Sequence, residues 1–285
     1  MISLLGGLGA ALLWAVATIA SSRSTRVIGS ASAVAWVMLV GLAVVVPGVI
    51  VNGVPDGLDP PTLGWLAVAG IGNVGGLVLV YAALRVGKVG IVAPIASTEG
   101  ALTAVLAIVL GERIVPGAAL TLAVIAGGIA LAAVHRDEIA PDGTGAGDAR
   151  RAVLLAIAAA AVFASGLYAA GHVSAHLPPI WVVLPARLVG TVAIALPLAL
   201  SGRLRLTRGT VPLVVAAGLG EILGSMSYAF GARSGIAITA VLASQFAAFA
   251  AVAAYLLFGE RLLRVQIAGV AMIAVGVGAL SYLQA

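Results

Sequence analysis

Ten apolar runs follow one another along this chain with little between them, and each is close to the length that crosses a bilayer. A hydrocarbon core about 30 Å thick takes about 20 residues of helix. Breaks at charged or Pro/Gly/Asn-rich interruptions give spans near 2 to 20, 31 to 51, 62 to 84, 89 to 110, 115 to 135, 151 to 171, 179 to 200, 210 to 232, 236 to 258 and 263 to 283. Only 9% of residues are charged and 62% are hydrophobic, whereas soluble domains carry about 25% charged residues. The expected fold is an all-α integral membrane protein with ten transmembrane helices. The first run has no Lys or Arg before it and exceeds the roughly 7 to 15 residues of a signal-peptide core, so it reads as a retained span.

One polar stretch, "HRDEIAPDGTGAGDAR", reads as a flexible linker at about 136-150. It divides the chain into a first five-helix repeat, 1-140, and a second, 141-285. Sliding the halves by 148 positions lays Glu112 on Glu260, Gly111 on Gly259, Arg85 on Arg233, Gly87 on Gly235, Gly72 on Gly220 and Gly76 on Gly224. Earlier in each half, an offset of 149 or 150 matches "LVGLAVVVPGVIVNG" with "LVGTVAIALPLALSG", including Pro47 and Pro197. Markers kept in order along both halves identify an internal duplication. Five spans are an odd number, so a half that starts on one face of the membrane ends on the other, and the two repeats are inverted. That build is common among secondary transporters. The turns "LGERIVPG" and "FGERLLRV" then cap equivalent spans on opposite faces, with Gly ending the helix and Glu112, Arg113, Glu260 and Arg261 holding the interface.

Two five-span halves, each with "Y-A" or a close variant near the end of the third span and "G-E-R" after the fourth, resemble the EamA-type family of the drug/metabolite transporter superfamily over nearly the whole chain. The resemblance implies a ten-helix exporter or exchanger with a central cavity contributed by both halves, and cytoplasmic termini. It names no substrate.

Charge points the other way for topology. Loops after odd-numbered spans hold twelve of the fifteen basic residues, from Arg23 and Arg26 to Arg261 and Arg264. Basic loops favour the cytoplasm, which places both termini outside. The loop after the second span, "VNGVPDGLDPP", carries acids alone, while the basic "SGRLRLTRG" stands at the matching place in the second half. The net charge of +5 is thus a topology signal spread through short loops, and no nucleic-acid partner is expected.

An ionisable residue deep in a span costs about 2.5 to 3.5 kcal/mol on insertion scales and marks a functional position by default. Glu99 is central in the fourth span, Glu221 is central in the eighth, and Arg187 lies about a third of the way through the seventh. Glu221 falls on Asn73 across the repeat, and Ser97 falls on Gln245, so the third and fourth spans of each half are expected to line a shared substrate-binding or coupling site. Trp14, Tyr81, Tyr168 and Tyr228 wall that site or belong to an interfacial belt. Arg187 either grips a carboxylate or pairs with one of the glutamates. Pro94, Pro185 and Pro197 mark kinks. His172 and His176 are spaced like a metal pair, but two ligands make no site.

The resulting expectation is a secondary active transporter, an exporter or exchanger of small metabolites such as amino acids or drug-like compounds, working by alternating access in the cell (plasma or inner) membrane. Its partners are a small-molecule substrate, the lipid bilayer, and protons or a counter-substrate, and the protein is a monomer or homodimer. The alternative is a membrane-embedded enzyme or lipid-handling protein that uses the buried carboxylates. No P-loop, dinucleotide fingerprint or nucleophile elbow is present, no cysteine is available for thiolate or disulfide chemistry, and no cofactor is expected.

Overall fold

The computed structural model describes residues 1–86, 95–115, 117–132, 146–246, 248–249, 252–253 and 264–283. Its regular elements are all helical: α1 (Ile2–Ile28), α2 (Ser30–Asn52), α3 (Pro60–Val86), α4 (Glu99–Val109), α5 (Ala118–Ala132), α6 (Ala146–Ser174), α7 (Pro179–Gly190), α8 (Leu196–Leu200), α9 (Val211–Ala232), α10 (Ile236–Ala243) and α11 (Arg264–Leu283). Six described segments are long and apolar enough to cross a bilayer, and shorter apolar helices occupy 99–109, 118–131 and 267–277.

Local chemistry explains several boundaries. The first helix continues past the expected residue 20 to Ile28, carrying Arg23 and Arg26 beyond the apolar run, and stops where Gly29 turns to φ 81° with its N–H on the Thr25 carbonyl. Asp59 caps α3 by accepting the Thr62 amide at 2.9 Å, with prolines in the first turn, where a missing N–H costs nothing. Hydrogen bonds from Thr62, side chain first and then backbone, hold the Asp59 carboxyl below its ordinary value. Between α7 and α8 the chain widens into a π-turn at Thr191–Ala195, just before Pro197, which has no amide to continue the ladder. Its repeat counterpart Pro47 sits inside a regular α2.

The fourth and ninth spans depart from the expectation of continuous helices. Each is interrupted by a two-residue turn, at 97–98 and at 244–245. Glu99 is therefore the first residue of a half-helix and not the middle of a whole one. Pro94 lies outside the described residues.

Packing crosses between the halves. The most extensive helix pairs are α3 with α6 and α1 with α9; α5 packs on α11, α4 on α10, and α2 on α7. In lipid such contacts rest on small residues that let backbones approach, and here equivalent glycines make them twice. A Cβ on Gly72 would lie 2.6 Å from the Gly166 Cα, and one on Gly220 would lie 2.7 Å from the Leu13 carbonyl oxygen, in contact with Ala17. Positions 17 and 166 are 149 apart. One turn further on, Gly76 seats the Phe163 ring and Gly224 the Trp14 ring, each with a ring carbon 2.5 Å from the absent Cβ. Positions 14 and 163 are again 149 apart. The same crossing has been built from both repeats.

These seats set a testable contrast. A methyl at Gly6 would meet the Gly231 backbone and come within 2.8 Å of the Ser227 carbonyl oxygen, whereas Gly64 faces open space. Gly6→Ala should destabilise by about 1–3 kcal/mol and lower the melting temperature in detergent, while Gly64→Ala should leave it unchanged or raise it.

Candidate functional site

The interior charges divide into a pair and a single carboxylate. Arg187 on α7 is fully buried and forms an ion pair with the Glu221 carboxylate on α9 through Nη1 and Oε2. Ser225, one turn along α9, donates to Glu221 Oε1 at 3.3 Å. The guanidinium also reaches the Met38 sulfur on α2 at 3.5 Å. Space for it comes from Gly41, where a Cβ would stand 2.7 Å from the Arg187 Cδ. Of the two roles expected for Arg187, the structure thus shows pairing with a glutamate.

Several polar atoms in the interior are buried with no hydrogen-bond partner. Arg187 Nε and Thr191 Oγ1, one helical turn apart on the seventh span, lack partners, as does Asn73 Oδ1 on α3. Buried polar groups are nearly always satisfied, and each orphan costs about 1–3 kcal/mol. Neither Met38 nor Gly41 was singled out from the sequence, because an apolar residue in an apolar span carries no signal. The offset of 149 does lay Met38 on Arg187.

Glu99, Ser97 and Gln245 all stand at the helix breaks. Glu99 opens α4 with 8% exposure, Ser97 stands in the preceding turn, and Gln245 stands in the turn that ends α10. Gln245 is 1% exposed and its Nε2 has no partner. The two breaks abut: a Cβ on Gly100 would contact the Ser244 hydroxyl and come within 2.5 Å of the Ala240 carbonyl oxygen. The amino end of α4 offers amide donors and positive dipole. Beside it, the carboxyl end of α10 offers carbonyls.

Of the expected aromatics, Trp14 and Tyr228 belong to this region. Their rings stack with centroids 6.2 Å apart, and Phe246, just past the α10 break, meets Trp14 edge-on at 6.3 Å. Trp14 donates to the Glu221 carbonyl at 3.3 Å, and the buried Tyr228 donates to the Leu167 carbonyl at 2.9 Å. Trp14 thereby joins the ion pair to the helix breaks. Tyr168 goes elsewhere, to a cluster with Trp65 at 5.8 Å and His172 at 6.0 Å. The Tyr81 side chain lies outside the described residues. Among those residues, no group of three or more His, Asp or Glu side chains could hold a metal.

The Gly-Glu-Arg turn after α4 has a definite mechanical role. The Glu112 carboxylate accepts the amides of Ile236 at 3.0 Å and Ala237 at 3.2 Å, capping α10 from the other half of the chain. Burial pushes its carboxyl above the ordinary value, and those two amides pull the other way. Arg233 closes a second helix end by donating to the Ser174 and Leu177 carbonyls at 2.8 and 2.7 Å. Glu260 lies outside the described residues. A cavity of about 570 Å³ opens beside Glu112, with Met1, Arg113, Ser234 and Leu283 in its wall. It gathers both termini and two even-numbered loops on one face, and none of the interior polar residues named above lines it.

The sequence model of the EamA-like transporter family matches residues 1–134 and again 150–282. No curated protein matches the chain. A solved structure titled only "Crystal structure of protein" is similar in fold, with a TM-score of 0.80 over 99% of this chain and 97% of that one at 19% identity.

Removing one member of a buried ion pair typically costs about 3–5 kcal/mol, because the other is left uncompensated; the figure applies to loss of Glu221, which strands the fully buried Arg187, and the reverse loss costs less because Glu221 keeps 18% side-chain exposure. Glu221→Gln should therefore lower the melting temperature sharply, and Arg187→Met added to it should restore most of the loss. Glu112→Ala should cost about 1–2 kcal/mol by uncapping α10, with Glu112→Gln milder because one acceptor oxygen remains.

Proposed function

Because the chain belongs to the EamA-like transporter family of the drug/metabolite transporter superfamily, we propose that it is a secondary active exporter or exchanger of small metabolites, such as amino acids or drug-like compounds, working by alternating access. The reading takes the protein as ten transmembrane helices in two inverted five-helix repeats, 1-140 and 141-285, with the substrate held between them. The observation that carries it is the pair of helix breaks that abut inside the apolar interior, each from the fourth span of its half. Discontinuous helices at a repeat interface are how many transporters expose backbone dipoles to a polar solute without opening the bilayer.

The chemistry of the break suits a solute with both donors and acceptors. Glu99 supplies a carboxylate for an ammonium or a proton, the Gln245 amide supplies a donor for a carbonyl or carboxylate, and Ser97 can do either. Trp14, Tyr228 and Phe246 supply an aromatic wall against which an apolar or cationic portion can rest. Glu221, Arg187 and Asn73 belong to the coupling machinery, driven by a proton or counter-substrate gradient. Rocking one repeat against the other alternately opens the two sides of the break. The arginine-rich odd loops favour placing the termini away from the cytoplasm.

Counterflow of labelled amino acids and small amines in liposomes tests this reading. Glu99→Gln should lower the rate at least about a hundredfold, the order lost when a charged contact worth about 3 kcal/mol is removed, with the melting temperature unchanged or raised. Wild-type vesicles that show no counterflow and no response to an imposed pH gradient would sink the proposal.

A further inference from the structure

Arg187 and Met38 stand in equivalent places, 149 residues apart, and each packs on the glycine of the other's helix. Arg187 lies on Gly41, and Met38 lies on Gly190 with its sulfur 2.7 Å from the position of a Cβ. Glu221 and Asn73 are likewise equivalent, 148 residues apart. The Arg187–Glu221 pair in one half thus corresponds to Met38–Asn73 in the other, and the Arg187–Met38 contact at 3.5 Å bridges the two. The frame is symmetric and its charge is not.

The unmade bonds belong to both repeats. Arg187 Nε is a buried donor without an acceptor, and Asn73 Oδ1 is a buried acceptor without a donor. Alternating access interchanges the conformations of inverted repeats. The 187–221 contact then opens as its counterpart, 38–73, closes, and the freed guanidinium remains on α7, against which α3, the helix of Asn73, packs. We propose that Arg187 exchanges partners during the cycle, held by the Glu221 carboxylate in the present state and by the Asn73 side-chain oxygen in the opposite one. Asn73 is in this sense a positioning residue. When Arg187 has turned away, Glu221 is a part-buried carboxylate without its counter-charge, so it takes up a positive group from the newly opened side, a proton or a substrate ammonium. Return of Arg187 expels that group. The inference rests on the transporter reading above.

The absence of cysteine from the sequence makes a single introduced thiol a clean reporter of state. Ala240 is fully buried where α10 meets α4, so reaction of Ala240→Cys with an impermeant maleimide reports separation of those helices. In that background Asn73→Leu removes the second acceptor, and it should slow both labelling and counterflow at least about tenfold, a shift of about 1.4 kcal/mol in the balance of states. Moving the carboxylate across the repeat, with Glu221→Asn and Asn73→Glu together, should restore counterflow lost in Glu221→Asn alone and make labelling faster than in the wild type. Unchanged labelling in Asn73→Leu, or a double variant as inactive and as slowly labelled as Glu221→Asn, overturns the exchange. Absence of counterflow in the wild type overturns the transport reading separately, since labelling is measured without it. A labelling rate that moves with pH in substrate-free vesicles identifies the proton as the positive group, and one that moves only with an added primary amine identifies an ammonium. A response to neither overturns the recharging of Glu221.

Discussion

Nothing in a bilayer presses one apolar helix against another, since lipid tails are as comfortable a neighbour as leucine. Association has to come from close approach and from polar contacts. In this protein the approach is made at glycine seats that recur in both halves, Gly72 on Gly166 and Gly220 on Ala17, with an aromatic ring lowered onto the next glycine in each case. The remaining architecture follows. Because the deepest seats join α1 to α9 and α3 to α6, the two halves are interlocked and not merely adjacent, and α7 and α9 are held where Arg187 meets Glu221.

What could be read from sequence alone was whatever depends on composition or order. Spans were legible because apolar runs have a required length, and the duplication was legible because glycines and the Gly-Glu-Arg turns keep their spacing. The structural reading of Glu112 was also available, although its target was not: that it caps Ile236 and Ala237 is a fact of tertiary placement, 124 residues away. Pairing was equally hidden. Glu221, Glu99 and Arg187 could be named as costly residues, but which glutamate meets the arginine depends on how α7 and α9 are turned. The helix break before Glu99 had no glycine or proline at 97–98 to announce it, only Ser97 and Thr98, whose side chains compete with the helix for backbone bonds; Thr98 donates to the Ile95 carbonyl at 2.7 Å.

The polar interior shows a division of labour. Glu112 and Arg233 spend their charge on helix ends and give the fold its corners. At the breaks, Glu99 opens α4 and Gln245 stands in the turn that ends α10, both buried. Arg187 and Glu221 satisfy each other only in part, with a guanidinium nitrogen left over. A structure selected for stability alone has little reason to keep buried orphans, since an apolar replacement of similar shape is often as stable. Their presence in one apolar core supports the proposal of a site whose bonds are completed by something that comes and goes.

The interlocking of the halves also bears on how the protein comes into being. Helices α1 and α3 find their principal partners in α9 and α6, which are synthesised later. From the start of each helix to the start of its partner the chain runs 86 residues for α3 and α6 and 209 for α1 and α9, delays of about 4–40 seconds at ordinary elongation rates of about 5–20 residues per second. During that interval the first half lies in the membrane with its glycine seats empty and the chain carrying Arg187 and Glu221 not yet inserted. Biogenesis is therefore an assembly of two incomplete objects. An isolated first repeat is a poor candidate for independent folding, and co-expression of the separated halves is the form in which a split version of this protein should assemble.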